Sequence, residues 1–137
     1  MTNQVNMNEE QQSQWVRDQY QVATKYLADK GLITESVAVE ESRYLVPLLA
    51  VWKLKLLDGT KTWVISGDLP TDHSNADVAP DARDAIRHFS LKWQLQAENL
   101  FKAGEAEQNK FAEMLVNRAE GLYRLYEDEK IWETKQG

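Results

Sequence analysis

The side chains best suited to chemistry gather in the segment Gly67-Asp68-Leu69-Pro70-Thr71-Asp72-His73. Asp68 and Asp72 offer hard carboxylate oxygens and His73 an imidazole, a set that could ligate a divalent metal. An Asp–His pair could also exchange protons near neutral pH. Ligation, however, needs three or four converging donors, and this spacing matches no standard metal motif. The same residues have plainer uses: Gly67 ends a strand, Asp68 closes an Asx-type turn, Pro70 presets a turn, and Thr71 or Asp72 bonds nearby amides. The plainer use is preferred, and no metal or other cofactor is expected. His88, the second histidine, follows Asp84 by four residues and shares its helix face. That spacing favours a weak surface ion pair over a proton-transfer couple.

These residues must be positioned by the elements around them. Leu48 to Leu56 and Lys61 to Ser66 read as two strands joined by a tight turn at Asp58-Gly59. A two-residue turn pairs Leu57 with Thr60, and therefore Leu56 with Lys61, Leu54 with Trp63 and Trp52 with Ile65. That register puts Trp52, Leu54 and Trp63 on one buried face, with Lys53, Lys55, Thr62, Val64 and Ser66 opposite. Asn8 with Gln11 forms a capping-box signature. Trp15, Val16, Tyr20, Ala23, Tyr26 and Leu27 then trace one face of a helix over about residues 9 to 30, with Gly31 as its exit. Residues 34 to 41 suggest a short acidic helix, and residues 68 to 80 a loop. Asp81 caps a long helix with a stripe of Ala82, Ala85, Ile86, Phe89, Trp93, Ala97, Leu100 and Phe101. Gly104 breaks it. A last helix runs from Glu105 to about Trp132 along Phe111, Leu115, Ala119, Leu122, Leu125, Tyr126 and Trp132, folding back as an antiparallel partner. The expected fold is α+β: an antiparallel hairpin, with room for a third strand, packed against three main helices. Residues 1–7 read as a flexible polar tail and 8–137 as one domain.

Composition narrows the function classes. Lys plus Arg number 16 and Asp plus Glu 22, a net charge of −6. Such a chain is repelled by phosphate backbones, so nucleic acid is not an expected partner. The longest apolar run, Tyr44 to Trp52, contains Pro47 and is less than half the about 20 residues of a membrane span. With no signal-peptide pattern at the start, a cytoplasmic, non-membrane protein is expected. Cysteine is absent, which removes disulfides, thiolate zinc sites and thiol catalysis. There is no glycine-rich phosphate loop, G-x-S-x-G elbow, H-E-x-x-H or dinucleotide fingerprint. The preferred reading is a non-enzymatic protein that binds another protein or itself, through a surface near Trp63, Tyr123, Tyr126 and Trp132. The alternative is a small metal-dependent enzyme using Asp68, Asp72, His73 and His88. A weaker third reading is a ligand pocket lined by Trp52, Trp63, Phe89 and Trp93, which would otherwise be core.

Several stretches resemble a small family of proteobacterial proteins built on a domain of unknown function. They are Glu41-Ser42-Arg43-Tyr44 running into Val51-Trp52-Lys53, then Trp63 through His73, then Ala82-Arg83-Asp84-Ala85 and Phe89-Ser90-Leu91-Lys92-Trp93. The resemblance implies that the Gly67 to His73 segment is a signature of the group. It brings no activity, ligand or catalytic residue with it.

Overall fold

The computed structural model describes residues 7–133; the tail expected over residues 1–7 lies, apart from Met7, outside the described residues. The fold is α+β, with a five-strand antiparallel sheet and three main helices. The chain divides into two compact units, one up to Asp77 and one from Val78.

The first unit opens with α1 (Glu9–Ala28). Its capping box forms as the sequence predicts: Asn8 Oδ1 accepts from the Gln11 amide at 2.8 Å, and Gln11 Oε1 accepts from the Asn8 amide at 3.1 Å. The strands are β1 (Thr34–Val37), β2 (Arg43–Leu45), β3 (Leu49–Leu56), β4 (Lys61–Gly67) and β5 (Asp72–Asn75). β3 is central: β4 pairs along one edge, β1 and β2 share the other, and β5 adds to the far side of β4.

Two segments differ from expectation. Residues 34 to 41 are not an acidic helix but strand β1 followed by a short 3-10 turn, Val39–Glu41. Their acids serve lysines of β3: Glu41 meets Lys53 at 2.8 Å and Glu35 meets Lys55 at 3.5 Å. Residues 72 to 75 leave the expected loop to become β5, because pairing with β4 satisfies backbone groups that an open edge would expose.

The hairpin exists, but its register is one residue from the expected one. Leu54 pairs with Thr62, Lys53 with Trp63 and Trp52 with Val64. The cause is the turn. The Gly59 amide donates to Leu56 O and the Leu56 amide to Thr60 O, so three residues, not two, bridge the strands. Within the turn only Gly59 has positive φ, at 91°, and Asp58 does not; this excludes the two-residue turn that needs positive φ at both positions, and fits a type I turn closed by a glycine bulge. Trp52 and Trp63 consequently face opposite sides of the sheet.

The Trp52 side carries the core of the first unit. Ala50, Trp52, Leu54, Leu56 and Val64 pack with Ala23 and Leu27 of α1. Tyr20 and Tyr44 meet the Trp52 ring at 5.3 and 4.9 Å, and the indole donates to Ser66 Oγ at 3.2 Å. Val51, Trp63 and Ile65, on the other side, are equally buried.

The second unit is a helical hairpin, α2 (Ala82–Ala103) and α3 (Ala106–Glu127), followed by the short α4 (Glu129–Glu133). Asp81 caps α2 by accepting from the Asp84 amide at 2.8 Å. Gly104, at φ 74°, ends it in the left-handed conformation and breaks the helix as its position predicts. Buried Ser90 donates to Ala119 O at 2.7 Å across the hairpin. Leu115, Ala119 and Leu122 of the expected α3 stripe are buried, but its first member is not. Ala112, not Phe111, is buried, and Phe101 of α2 is also exposed. The helices meet through small residues, including Ala97, Ala112 and Ala119, and leave both phenylalanines outside. α3 also stops short of Trp132, whose indole folds back to donate to Leu125 O at 2.9 Å.

Candidate functional site

The glycine that opens the signature segment answers to backbone packing. Gly67 has φ 132°, and a Cβ there would lie 2.5 Å from Leu48 O and 2.6 Å from Leu49 Cα. The next amide, Asp68 N–H, donates to Leu48 O at 2.9 Å. The chain can turn from β4 only because no side chain intervenes. From there it reaches β5, where His73 pairs with Val64.

This register places His73 on the face of the sheet that α1 covers, and a residue of α1 meets it. The Tyr26 hydroxyl lies 2.9 Å from His73 Nδ1 and 3.5 Å from Asp72 Oδ1. The two rings meet edge to face at 5.4 Å, and the Lys30 ammonium sits 4.8 Å from the Tyr26 ring centre. Asp72 Oδ1 also accepts from the His73 amide at 2.7 Å. Burial, then the Asp72 charge and a hydrogen bond to it, push the Tyr26 phenol up to about 12.

A phenol has one proton to donate. With Nδ1 of His73 unprotonated, Tyr26 donates to it. With Nδ1 protonated, the ring N–H can donate to the phenol oxygen while the phenol turns to Asp72. The hydroxyl can therefore turn between the carboxylate and the imidazole. A phenol that holds its proton so firmly is a poor acid and supplies no phenolate base at neutral pH, and its clear effect is to fasten β5 to α1.

Of the four expected site residues, Asp72 and His73 thus come together around Tyr26, and Asp68 is placed by its own amide. His88 lies on α2 in the second unit, edge-on to Phe89 at 5.5 Å. Among the described residues no group of three or more His, Asp or Glu side chains could hold a metal ion. The four aromatics weighed as a ligand pocket, Trp52, Trp63, Phe89 and Trp93, are all buried core residues.

The expected interface also divides. Trp63 is 0% exposed and offers no surface. Tyr123, Tyr126 and Trp132 are half-buried. Tyr126 is engaged by arginines: Arg83 Nε donates to its carbonyl at 2.9 Å, and the Arg83 and Arg87 guanidinium groups stand 5.2 and 6.0 Å from its ring centre. Tyr123 instead lines an open groove of about 870 Å³ on the α2–α3 hairpin, with Ala97, Phe101 and Val116. Charged residues Glu98, Lys102, Glu120 and Arg124 join the lining. Sequence reasoning assigned Phe101 to the buried stripe and so missed the groove. The spacing held no signal of this: Phe101 continues the stripe of Phe89, Trp93 and Ala97, yet is 42% exposed.

Residues 9–132 match the family described as a Domain of unknown function (DUF4826). The chain belongs to that family. The match spans both compact units, so the β-sheet, its Gly67 to His73 segment and the helical hairpin all fall within the DUF4826 region. No curated protein and no solved structure matches the chain. Among the described residues no helix is long and apolar enough to cross a membrane.

Proposed function

We propose that this protein acts by binding another protein chain and not by catalysis. The observation that supports this is the α2–α3 groove, where Phe101 is 42% exposed beside Tyr123 and Val116. Exposed apolar side chains clustered around a concavity and rimmed by charge are the usual make-up of a protein-binding surface. The Asp72–His73 pair, by contrast, is engaged with Tyr26 and with backbone.

The test is affinity purification of the tagged chain from its own cells, in parallel with the groove variants Phe101→Glu and Tyr123→Ala. On this reading the wild type carries a chain, foreign or its own, that both variants lose while retaining the native circular-dichroism spectrum. Identical recovery from all three would remove the groove from consideration. The metal-enzyme alternative has its own check. Calorimetric titration with magnesium, manganese or zinc should give no binding heat, and heat abolished by Asp72→Ala would revive that alternative.

A further inference from the structure

We infer that the grooved face of the α2–α3 hairpin binds a second copy of this chain, hairpin on hairpin, to form a four-helix bundle. The inference rests on the preceding reading and names the partner.

Size permits it. Each helix has 22 residues and so is about 33 Å long. Two helices side by side, each about 10 Å wide, present a footprint of about 660 Å². Two such faces in contact bury about 1,300 Å², just inside the range of specific, stable interfaces. The apolar content of the groove is Phe101, exposed on α2, with half-buried Val116 and Tyr123 on α3.

Charge selects the second copy over a foreign partner. On α2, Glu98 already pairs with Lys102 at 3.3 Å. On α3, Glu120 and Arg124 lie one helical turn apart on the groove, both exposed, and neither forms an ion pair among the described residues. A partner surface of one sign would satisfy one of them and repel the other. A two-fold copy brings the opposite charge to each: Glu120 of either chain meets Arg124 of the other, twice over. Like-charge juxtaposition at such a contact is strongly unfavourable, so reversing either residue should dissociate the pair.

Sedimentation velocity on the full chain at low salt provides the test. Wild type should dimerise. Glu120→Arg and Arg124→Glu should each weaken the dimer by about tenfold or more. The double variant Glu120→Arg/Arg124→Glu should return to within about threefold of wild type, because the two-fold axis recreates both pairs. Phe101→Glu should be monomeric, with an unchanged circular-dichroism spectrum. A double variant as weak as either single one overturns the inference, as does a wild type that stays monomeric at about 0.5 mM. If that monomer still captures a foreign protein that Phe101→Glu loses, the second copy is wrong and the binding reading stands. If it captures nothing, both fall.

Discussion

At the scale of single residues, Gly67 and Tyr26 divide the signature segment between folding and chemistry. Any side chain at Gly67 collides with the backbone of Leu48 and Leu49, which cannot yield as a flexible side chain would. Gly67→Ala should therefore cost about 2 kcal/mol or more, read as a lower urea midpoint at unchanged slope. Tyr26 makes a different prediction. Its phenol is raised from 10.0 to about 12, so the folded state holds the proton more tightly than the unfolded one. The stability this contributes is fully present below pH 10 and is lost as pH rises towards 12. Absorbance at the phenolate band should show Tyr26 titrating late, beside Tyr44, whose phenol burial also pushes up, and Tyr26→Phe should remove the Tyr26 component. The same substitution should flatten the fall in melting temperature over that alkaline window. Asp72 and His73 were legible in the sequence as residue types able to work together. Tyr26 was not, because it precedes His73 by 47 positions and looked like one more apolar member of the α1 stripe. Only the pairing of β5 with β4 makes them neighbours.

At the scale of elements, legibility follows how local the deciding interaction is. The Asn8 and Asp81 caps and the Gly104 stop each depend on groups within a few residues, and each was readable. Strands β1 and β5 were not. Thr34-Glu35-Ser36-Val37 and Asp72-His73-Ser74-Asn75 carry little strand propensity of their own and exist through pairing with β3 and β4. The hairpin lies between these cases. Asp58-Gly59 announced a turn, but the same dipeptide serves a two-residue and a three-residue connection, and these differ by one in register. The Asp58 carboxylate accepts from both the amide and hydroxyl of Thr60, at 2.9 and 2.7 Å, which favours the longer form and holds that carboxyl below its ordinary value. Its contribution is present above that ordinary value and fades as pH falls through the lowered one. Gly59→Ala should cost about 1–2 kcal/mol, since an L-residue resists the left-handed conformation, and should lower the melting temperature. A loss near zero would mean that the turn is not the glycine-bulged form.

For the whole molecule, the register decides how much of the sheet is dry. Five consecutive residues of β4, Thr62 through Ser66, are buried. That pattern belongs to a strand covered on both faces, not to a ribbon with one wet side. The run Trp63-Val64-Ile65 showed this in the sequence, but the alternation imposed by a two-residue turn assigned Val64 to solvent. The two registers now predict different mutational responses at Val64. In the expected register Val64→Asp would be a surface change, within about 0.5 kcal/mol of wild type. In the observed one Val64 is 0% exposed and joins Trp52, Leu54 and Leu27 in the core, so an unpaired carboxylate there should cost about 3 kcal/mol or more. Trp63→Ala, on the opposite face, should cost a similar about 3–5 kcal/mol. Each loss is a large share of the about 5–15 kcal/mol that holds a typical domain together. Urea titrations of both variants should therefore show midpoints far below wild type or no folded baseline. A stable Val64→Asp beside a crippled Trp63→Ala would restore the single-faced sheet and remove His73 from the side of the sheet where Tyr26 meets it.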